Sequence, residues 1–156
     1  MADVSGSNRR AAAAWEALLR AHAALVPVIA AQVEKESGLP LSWYDVLLEL
    51  SRAPGSRLRM QDLGECVVLS RSRVSRIVDE MVAEGLVTKS VDANDRRAIL
   101  ATLTAKGRRA QRRTAPLYLD AINRHFGQHL RGSELQGIVE GLGRLVGVYD
   151  GRDTQT

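Results

Sequence analysis

LSRSRVSRIVDEMVAEGLVTKSVDANDRRAILATL, residues 69–103, is the stretch whose reading decides the fold. It opens as a helix. Val74, Ile77, Val78, Met81 and Val82 fall at i, i+3, i+4, i+7 and i+8, which predicts one buried stripe. Arg71, Arg73 and Arg76 lie away from that stripe, beside a helix N-terminus that is itself partly positive and favours carboxylates over cations. Ser70 has the chemistry of an N-cap, yet three residues on stands Arg73 rather than the Glu or Gln of a capping box. A broken local rule of this kind tends to mark function. A polyanion docking against the first turns resolves it.

The residues after the helix point the same way. Gly85 is placed to end it, Leu86–Ser90 reads as a short strand, and Ala98–Leu103 as a second with Ile99, Ala101 and Leu103 alternating against Ala98, Leu100 and Thr102. Between them runs the polar turn 91–97, ending on Arg96 and Arg97. A basic-faced helix followed at once by a hairpin with an arginine tip has the layout of a winged helix-turn-helix. In that layout the helix enters the major groove of duplex DNA, and the hairpin reaches the backbone or the minor groove.

Charge is concentrated in the same region. The net charge of the 156 residues is +4, a weak pointer by itself. From Ser70 to Arg113, however, eleven basic residues face five acidic ones, which makes that segment +6 and the remainder −2. Localised positive charge is the electrostatic footprint expected of a nucleic-acid partner. Aromatics are only 4%, so the core is left to Leu, Val, Ile and Ala, which suits helices. The single cysteine, Cys66, excludes an intramolecular disulfide framework and a cysteine-based zinc site. No secretory signal is visible, and the most apolar run, Ala23–Ala31, is far too short to span a bilayer. A soluble, cytoplasmic protein with no membrane partner is expected.

The expected fold is mainly α with a two- to three-stranded β-wing, flanked by N- and C-terminal dimerisation helices. Residues 1–36 form the first part of the dimerisation region, residues 41–103 the winged helix-turn-helix, and residues 104–150 the C-terminal helices. Met1–Asn8 reads as disordered. A helix is predicted from about Arg9 to Glu36, kinked or divided at Pro27, and Ser42 is placed to cap a helix over Trp43–Ser51. A turn at 53–56 precedes a short helix over about Met60–Val67, with Met60, Leu63, Cys66 and Val67 inward, and Val68–Leu69 makes the corner. Thr104 is placed to cap a helix reaching about Leu130 with Pro116 as an interruption. Ser133 is placed to cap the last helix, whose stripe is Leu135, Ile138, Val139, Leu142, Leu145 and Val146. Both terminal helices carry more apolar length than the small central unit can cover, so a two-fold homodimer is expected.

These elements and motifs resemble the MarR family of bacterial transcriptional regulators over nearly the whole chain. The resemblance is carried by Leu41–Leu48, by Met60–Glu65, by Ser70–Asp79 and by Gly85-Leu86-Val87. Its most specific piece is Asp95-Arg96-Arg97-Ala98 followed by Leu103-Thr104-Ala105-Lys106-Gly107, similar to the family's DRRa…LTxkG signature. Ala93 departs from the pattern, since many members have proline there. The resemblance implies a DNA-binding regulator, a repressor in the common case, acting on a pseudo-palindromic operator. It implies Ser70, Arg71, Ser72, Arg73, Ser75 and Arg76 at the major groove, and Arg97, oriented by Asp95, in the minor groove. Arg96 is left to phosphate or to packing on the wing. It also implies release by a small aromatic or phenolic acid. Trp15, His22, Trp43 and Tyr44 are candidate walls of such a site, each with core or interface packing as the alternative.

Other chemistries find little support. There is no glycine-rich phosphate loop and no nucleophile–base–orienter set, so an enzyme is not expected, and no cofactor or metal is implied. His125 and His129, spaced i, i+4, and an inward, inert Cys66 are the remaining features with any sensing chemistry. The alternatives left open are a winged-helix protein-interaction module and a nonspecific DNA-binding protein without ligand sensing.

Overall fold

The computed structural model describes residues 4–67 and 71–150. Its elements run α1 (Val4–Ser37), α2 (Leu41–Arg52), a 3-10 turn (Pro54–Ser56), β1 (Arg57–Arg59), α3 (Met60–Cys66), α4 (Arg71–Ala83), β2 (Val87–Val91), β3 (Ile99–Leu103), α5 (Ala105–His125), a 3-10 turn (Gly127–His129) and α6 (Gly132–Asp150). The three strands form one antiparallel sheet in the order β1-β3-β2.

The main core lies where α2, α3 and α4 close on that sheet. Leu47, Leu50, Leu63, Val74, Val78, Met81 and Val87 are all fully buried there. Four of the five expected α4 positions face inward, and Val82 does not, being 37% exposed. At 100° per residue, Val82 sits about 80° from Val74, on the margin of the stripe. Ile99 is exposed as well: it pairs with Val91 where the hairpin runs out past the core.

The end of α4 is built by Gly85. Its φ is +69°, its N–H donates to the Val82 carbonyl (2.9 Å), and the Leu86 N–H donates to the Met81 carbonyl (2.9 Å). These two bonds make a Schellman motif, which aims the chain directly into β2. Thr104 caps α5 as expected, accepting the Gly107 N–H at 3.0 Å. Its hydroxyl also reaches the Gly85 and Leu86 carbonyls (2.8 and 3.0 Å), tying the start of α5 to the end of α4.

Several expectations are corrected. Val4–Asn8 is helical, and α1 runs unbroken through Pro27, because extending a formed helix costs far less than starting one. Pro116 likewise sits inside α5 without ending it. Pro40, not Ser42, is the N-cap of α2: its carbonyl takes the Trp43 and Tyr44 N–H groups, leaving Ser42 inside the first turn. α5 stops at His125 because Phe126 leaves helical geometry (φ −127°, ψ −60°). α6 begins at Gly132, so Ser133 does not cap it. Glu134 reaches back instead, accepting the Arg131 N–H at 2.8 Å. Ser70 and the corner Val68–Leu69 lie outside the described residues.

α1 packs on the rest of the described chain through its C-terminal half, where Ile29 and Val33 meet Ala121 of α5. Trp15, Leu19 and Val26 remain exposed, as do Val139, Leu145, Val146 and Val148 of α6. Taken as a whole helix, Gly6–Ser37 is long and apolar enough to cross a bilayer by length and composition, which the run Ala23–Ala31 alone did not indicate. Yet Glu16 and Arg20 pair on it at 3.3 Å, with both side chains exposed.

Candidate nucleic-acid interface

Helix α4 turns its apolar stripe into the core and leaves Ser72, Arg73, Ser75 and Arg76 on the surface. Arg71 opens the helix, and its side chain, like Ser70, lies outside the described residues. Arg76 approaches Glu80 one turn on (3.8 Å), a loose pair between exposed groups that leaves the guanidinium available. Farther along the helix, Asp79 pairs with Lys89 of β2, so the acidic end of the exposed face is held against the wing.

The wing is a hairpin whose five paired residues, Val87↔Leu103 to Val91↔Ile99, lead into a tip over 92–98. Two aspartates fold that tip. Asp92 Oδ1 accepts the Asn94 N–H (2.9 Å), and Asp95 Oδ1 accepts the Arg97 N–H (3.0 Å). Each is an Asx turn, in which a carboxylate stands in for a backbone carbonyl two residues earlier. The Asp92 N–H then closes on the Ala98 carbonyl and the Ala98 N–H on the Asp95 carbonyl, both at 2.9 Å. Arg96 and Arg97 are exposed on this tip. Asp95 therefore acts on Arg97 through the backbone, which refines the expectation that it orients the side chain.

The root of the wing holds a feature that sequence reasoning missed. Arg59, the residue before α3, donates from Nε (3.1 Å) and Nη2 (2.9 Å) to Asp92 Oδ2. Asp92 is only 8% exposed. Its acidity is strengthened first by the Asn94 backbone bond and then by Arg59, against the opposing effect of burial. Nothing in the spacing of residues 59 and 92 announces the pair, because it spans 33 positions.

Gly107, also part of the stretch 103–107, has a structural cause. A Cβ there would fall 2.1 Å from the Leu86 carbonyl oxygen and 2.8 Å from Leu103 Cδ1. Only glycine lets the first turn of α5 lie against the strand entering the wing. Lys106 adds a bond from Nζ to the Glu84 carbonyl (2.6 Å) at the end of α4.

The four candidate ligand-binding residues are not gathered into one site. Trp15 and His22 are exposed on α1, and Tyr44 is buried edge-on against Tyr118 with ring centroids 5.1 Å apart. Trp43 alone borders a cavity of about 230 Å3, which it shares with Gly38, Leu39, Glu84, Lys106, Arg109 and Arg113. Cys66 is exposed rather than inward. Partial desolvation and the neighbouring Glu49, Asp62 and Glu65 push its thiol up, away from the thiolate that redox sensing needs. His125 and His129 do not share a helical face: His125 ends α5 with Nε2 at 2.7 Å from Gln32 Oε1, and His129 lies in the following 3-10 turn.

A three-helix unit whose third helix carries exposed arginines, followed by an arginine-tipped hairpin, has the architecture of a winged helix-turn-helix. A sequence profile of the MarR family matches residues 37–98, from the end of α1 to the wing tip. The chain is similar to AbsC, a MarR family regulator from Streptomyces coelicolor, with 28% identity, a TM-score of 0.78, and coverage of 90% of this chain and 94% of that one. A second MarR family regulator from the same organism, solved in complex with DNA, is 29% identical with a TM-score of 0.77, covering 86% and 84%. BpsR of Bordetella bronchiseptica, whose DNA binding is regulated by 6-hydroxynicotinic acid, is 25% identical with a TM-score of 0.73, covering 84% and 91%. No curated protein matches the sequence significantly.

Proposed function

We propose that the chain is a homodimeric repressor that binds a pseudo-palindromic DNA operator, with α4 in the major groove and Arg97 of the wing in the minor groove. The observation that carries this reading is the wing tip. Two Asx turns fix its backbone while both arginines stay exposed, which is a poor arrangement for packing and a good one for reaching into a groove. Arginine suits narrow A·T-rich minor grooves, where the potential is most negative. On α4, Arg73 and Arg76 have the reach for guanine or phosphate, and Ser72 and Ser75 for phosphate or base edges.

The exposed apolar faces of α1 and α6 support the dimer. Trp15, Leu19 and Val26, with Val139, Leu145 and Val146, form more apolar surface than isolated exposed residues would. A two-fold pairing covers them and sets two reading helices about 34–36 Å apart, one turn of duplex. We read the apolar length of α1 as this interface rather than a membrane span, and the protein as cytoplasmic.

The Trp43 cavity supports a ligand-responsive regulator. An indole beside Lys106, Arg109 and Arg113 suits a small aromatic acid, and the cavity adjoins the C-terminal end of α4. A ligand that favours a dimer with wrongly spaced reading helices weakens DNA binding by the same coupling energy.

Selection of duplexes from a random-sequence library by the full chain tests the central reading. The expected result is a pseudo-palindrome bound at nanomolar concentration and at least a thousandfold tighter than unrelated DNA, on the order typical of specific regulators. Recovery of no preferred sequence would leave the interaction-module or nonspecific reading in its place.

A further inference from the structure

Arg59 and Asp92 join two parts of the chain that the sheet leaves unconnected. In the order β1-β3-β2 the outer strands share no hydrogen bond. Arg59 stands opposite Leu100, and Leu100 stands opposite Ser90. The Arg59 side chain therefore crosses the central strand and reaches two residues beyond its register neighbour to meet Asp92. Both its Nε and Nη2 donate to Oδ2, while Oδ1 takes the Asn94 N–H. Three donors converge on one nearly buried carboxylate, which is how a buried charge is kept in place. An incidental surface pair has no such completeness.

The two ends of this contact belong to different functional parts. Arg59 immediately precedes α3, with extended backbone (φ −65°, ψ 145°). Through Leu63, α3 shares one core with Val74, Ile77 and Val78 of α4. Asp92 closes the regular hairpin, and beyond it lies the tip with Arg96 and Arg97. A rigid path thus runs from α4 through α3 and Arg59 to Asp92 and the tip.

On the DNA-binding reading above, we infer that the Arg59–Asp92 clamp is a positioning device that fixes the wing tip relative to α4. It thereby sets the offset along the duplex between major-groove and minor-groove contacts. Neither residue needs to touch DNA. The clamp makes the protein sensitive to the spacing between two contacted sequences rather than to either one alone.

Two readouts on the full chain test this. The first, without DNA, is amide hydrogen exchange: Arg59→Gln is expected to speed exchange at 93–98 by roughly tenfold or more while α4 stays protected. Equal protection at the tip would overturn the clamp. The second uses a duplex selected by the wild type, and the same duplex with one base pair inserted between the half-site centre and its flank. The wild type is expected to lose roughly tenfold or more on insertion, the scale of one mismatched position. Arg59→Gln is expected to lose less than about threefold, with an unchanged salt slope because no phosphate contact is removed. An undiminished insertion penalty would overturn the clamp, as would a slope lowered by about two, one for each protomer, which makes Arg59 a phosphate ligand. Should Arg59→Gln fail to fold, Asp92→Asn reads the same quantities while keeping the acceptor for Asn94. A wild-type chain that selects no duplex overturns the DNA reading itself. That outcome is distinct from a selected duplex whose insertion penalty the variants leave intact, which overturns the clamp alone.

Discussion

The carboxylate of Asp95 bonds the backbone N–H of Arg97 at 3.0 Å, and the Arg97 side chain extends from the turn so formed. This relationship separates two ways in which an aspartate can serve an arginine. A partner for the guanidinium needs negative charge, whereas an Asx turn needs only an oxygen acceptor. Asp95→Asn is therefore expected to keep DNA affinity within about threefold, and Asp95→Ala to lose roughly fivefold per wing, or about thirtyfold for a dimer with two wings, the hydrogen bond being worth about 1 kcal/mol. Gel-shift titration of both variants checks this. Equal losses for Asn and Ala would point to charge as the operative property.

Gly107 supports a prediction about stability. In Gly107→Ala the new methyl meets the Leu86 backbone, which cannot swing aside as a side chain can. Overpacking of this kind costs roughly 1–3 kcal/mol, with the upper end expected here. Denaturant unfolding is the measurement. A loss below about 0.5 kcal/mol, the scale of ordinary surface changes, would mean that α5 and the entry to β2 are free to move apart.

Asp45 gives the folded chain a pH dependence. Burial, and then the nearby Glu49, push its carboxyl up to about 6. A carboxyl whose folded pKa lies above its unfolded value of 3.8 favours the folded state while protonated. That contribution is complete below about pH 4 and is lost as pH rises through about 6. Partial exposure screens the effect, leaving it on the order of 1 kcal/mol. Asp45→Asn is expected to be more stable than the wild type at pH 7 and no more stable at pH 4, as read by thermal melting across that range. A constant difference between the two proteins would rule out titration of Asp45 as the cause.

The terminal helices predict the oligomeric state. Val139 and Leu145 are 68% and 54% exposed on α6 in the single chain. In a dimer formed through this face, Val139→Asp with Leu145→Asp places unpaired carboxylates in an apolar interface, each costing several kcal/mol. Sedimentation should show a wild-type dimer and a monomeric variant. An unchanged dimer would move the interface elsewhere.

The parts of this structure that were legible in the sequence are those governed by local periodicity. The α4 stripe, the Thr104 cap and the two hairpin strands each follow from residues a few positions apart, and each is present. What escaped depends on distance in the chain or on competition between neighbours. Arg59 and Asp92 meet across 33 residues, and the reason for Gly107 is a carbonyl 21 positions earlier. Ser42 and Ser133 have cap chemistry, but Pro40 and Arg131 hold the positions where the helices begin. The buried stripe of α3 runs from Leu63 to Val67 (i, i+4), and Cys66, one position short of Val67, falls off it to the exposed side. The site followed the same division: Arg73, Arg76, Arg96 and Arg97 are exposed, whereas the candidate pocket walls Trp15, His22, Trp43 and Tyr44 occupy separate environments in the single chain, Tyr44 in the core packing that was the alternative for it.

The measurement that bears most directly on the account is the salt dependence of binding to one selected duplex by the wild type and by Arg97→Ala. If the wing arginine enters the minor groove against the phosphate field, the variant binds more weakly by roughly tenfold or more, and its slope of log K against log salt is shallower by about two, one for each protomer of the dimer. An unchanged affinity with an unchanged slope would contradict the assignment of the wing to DNA.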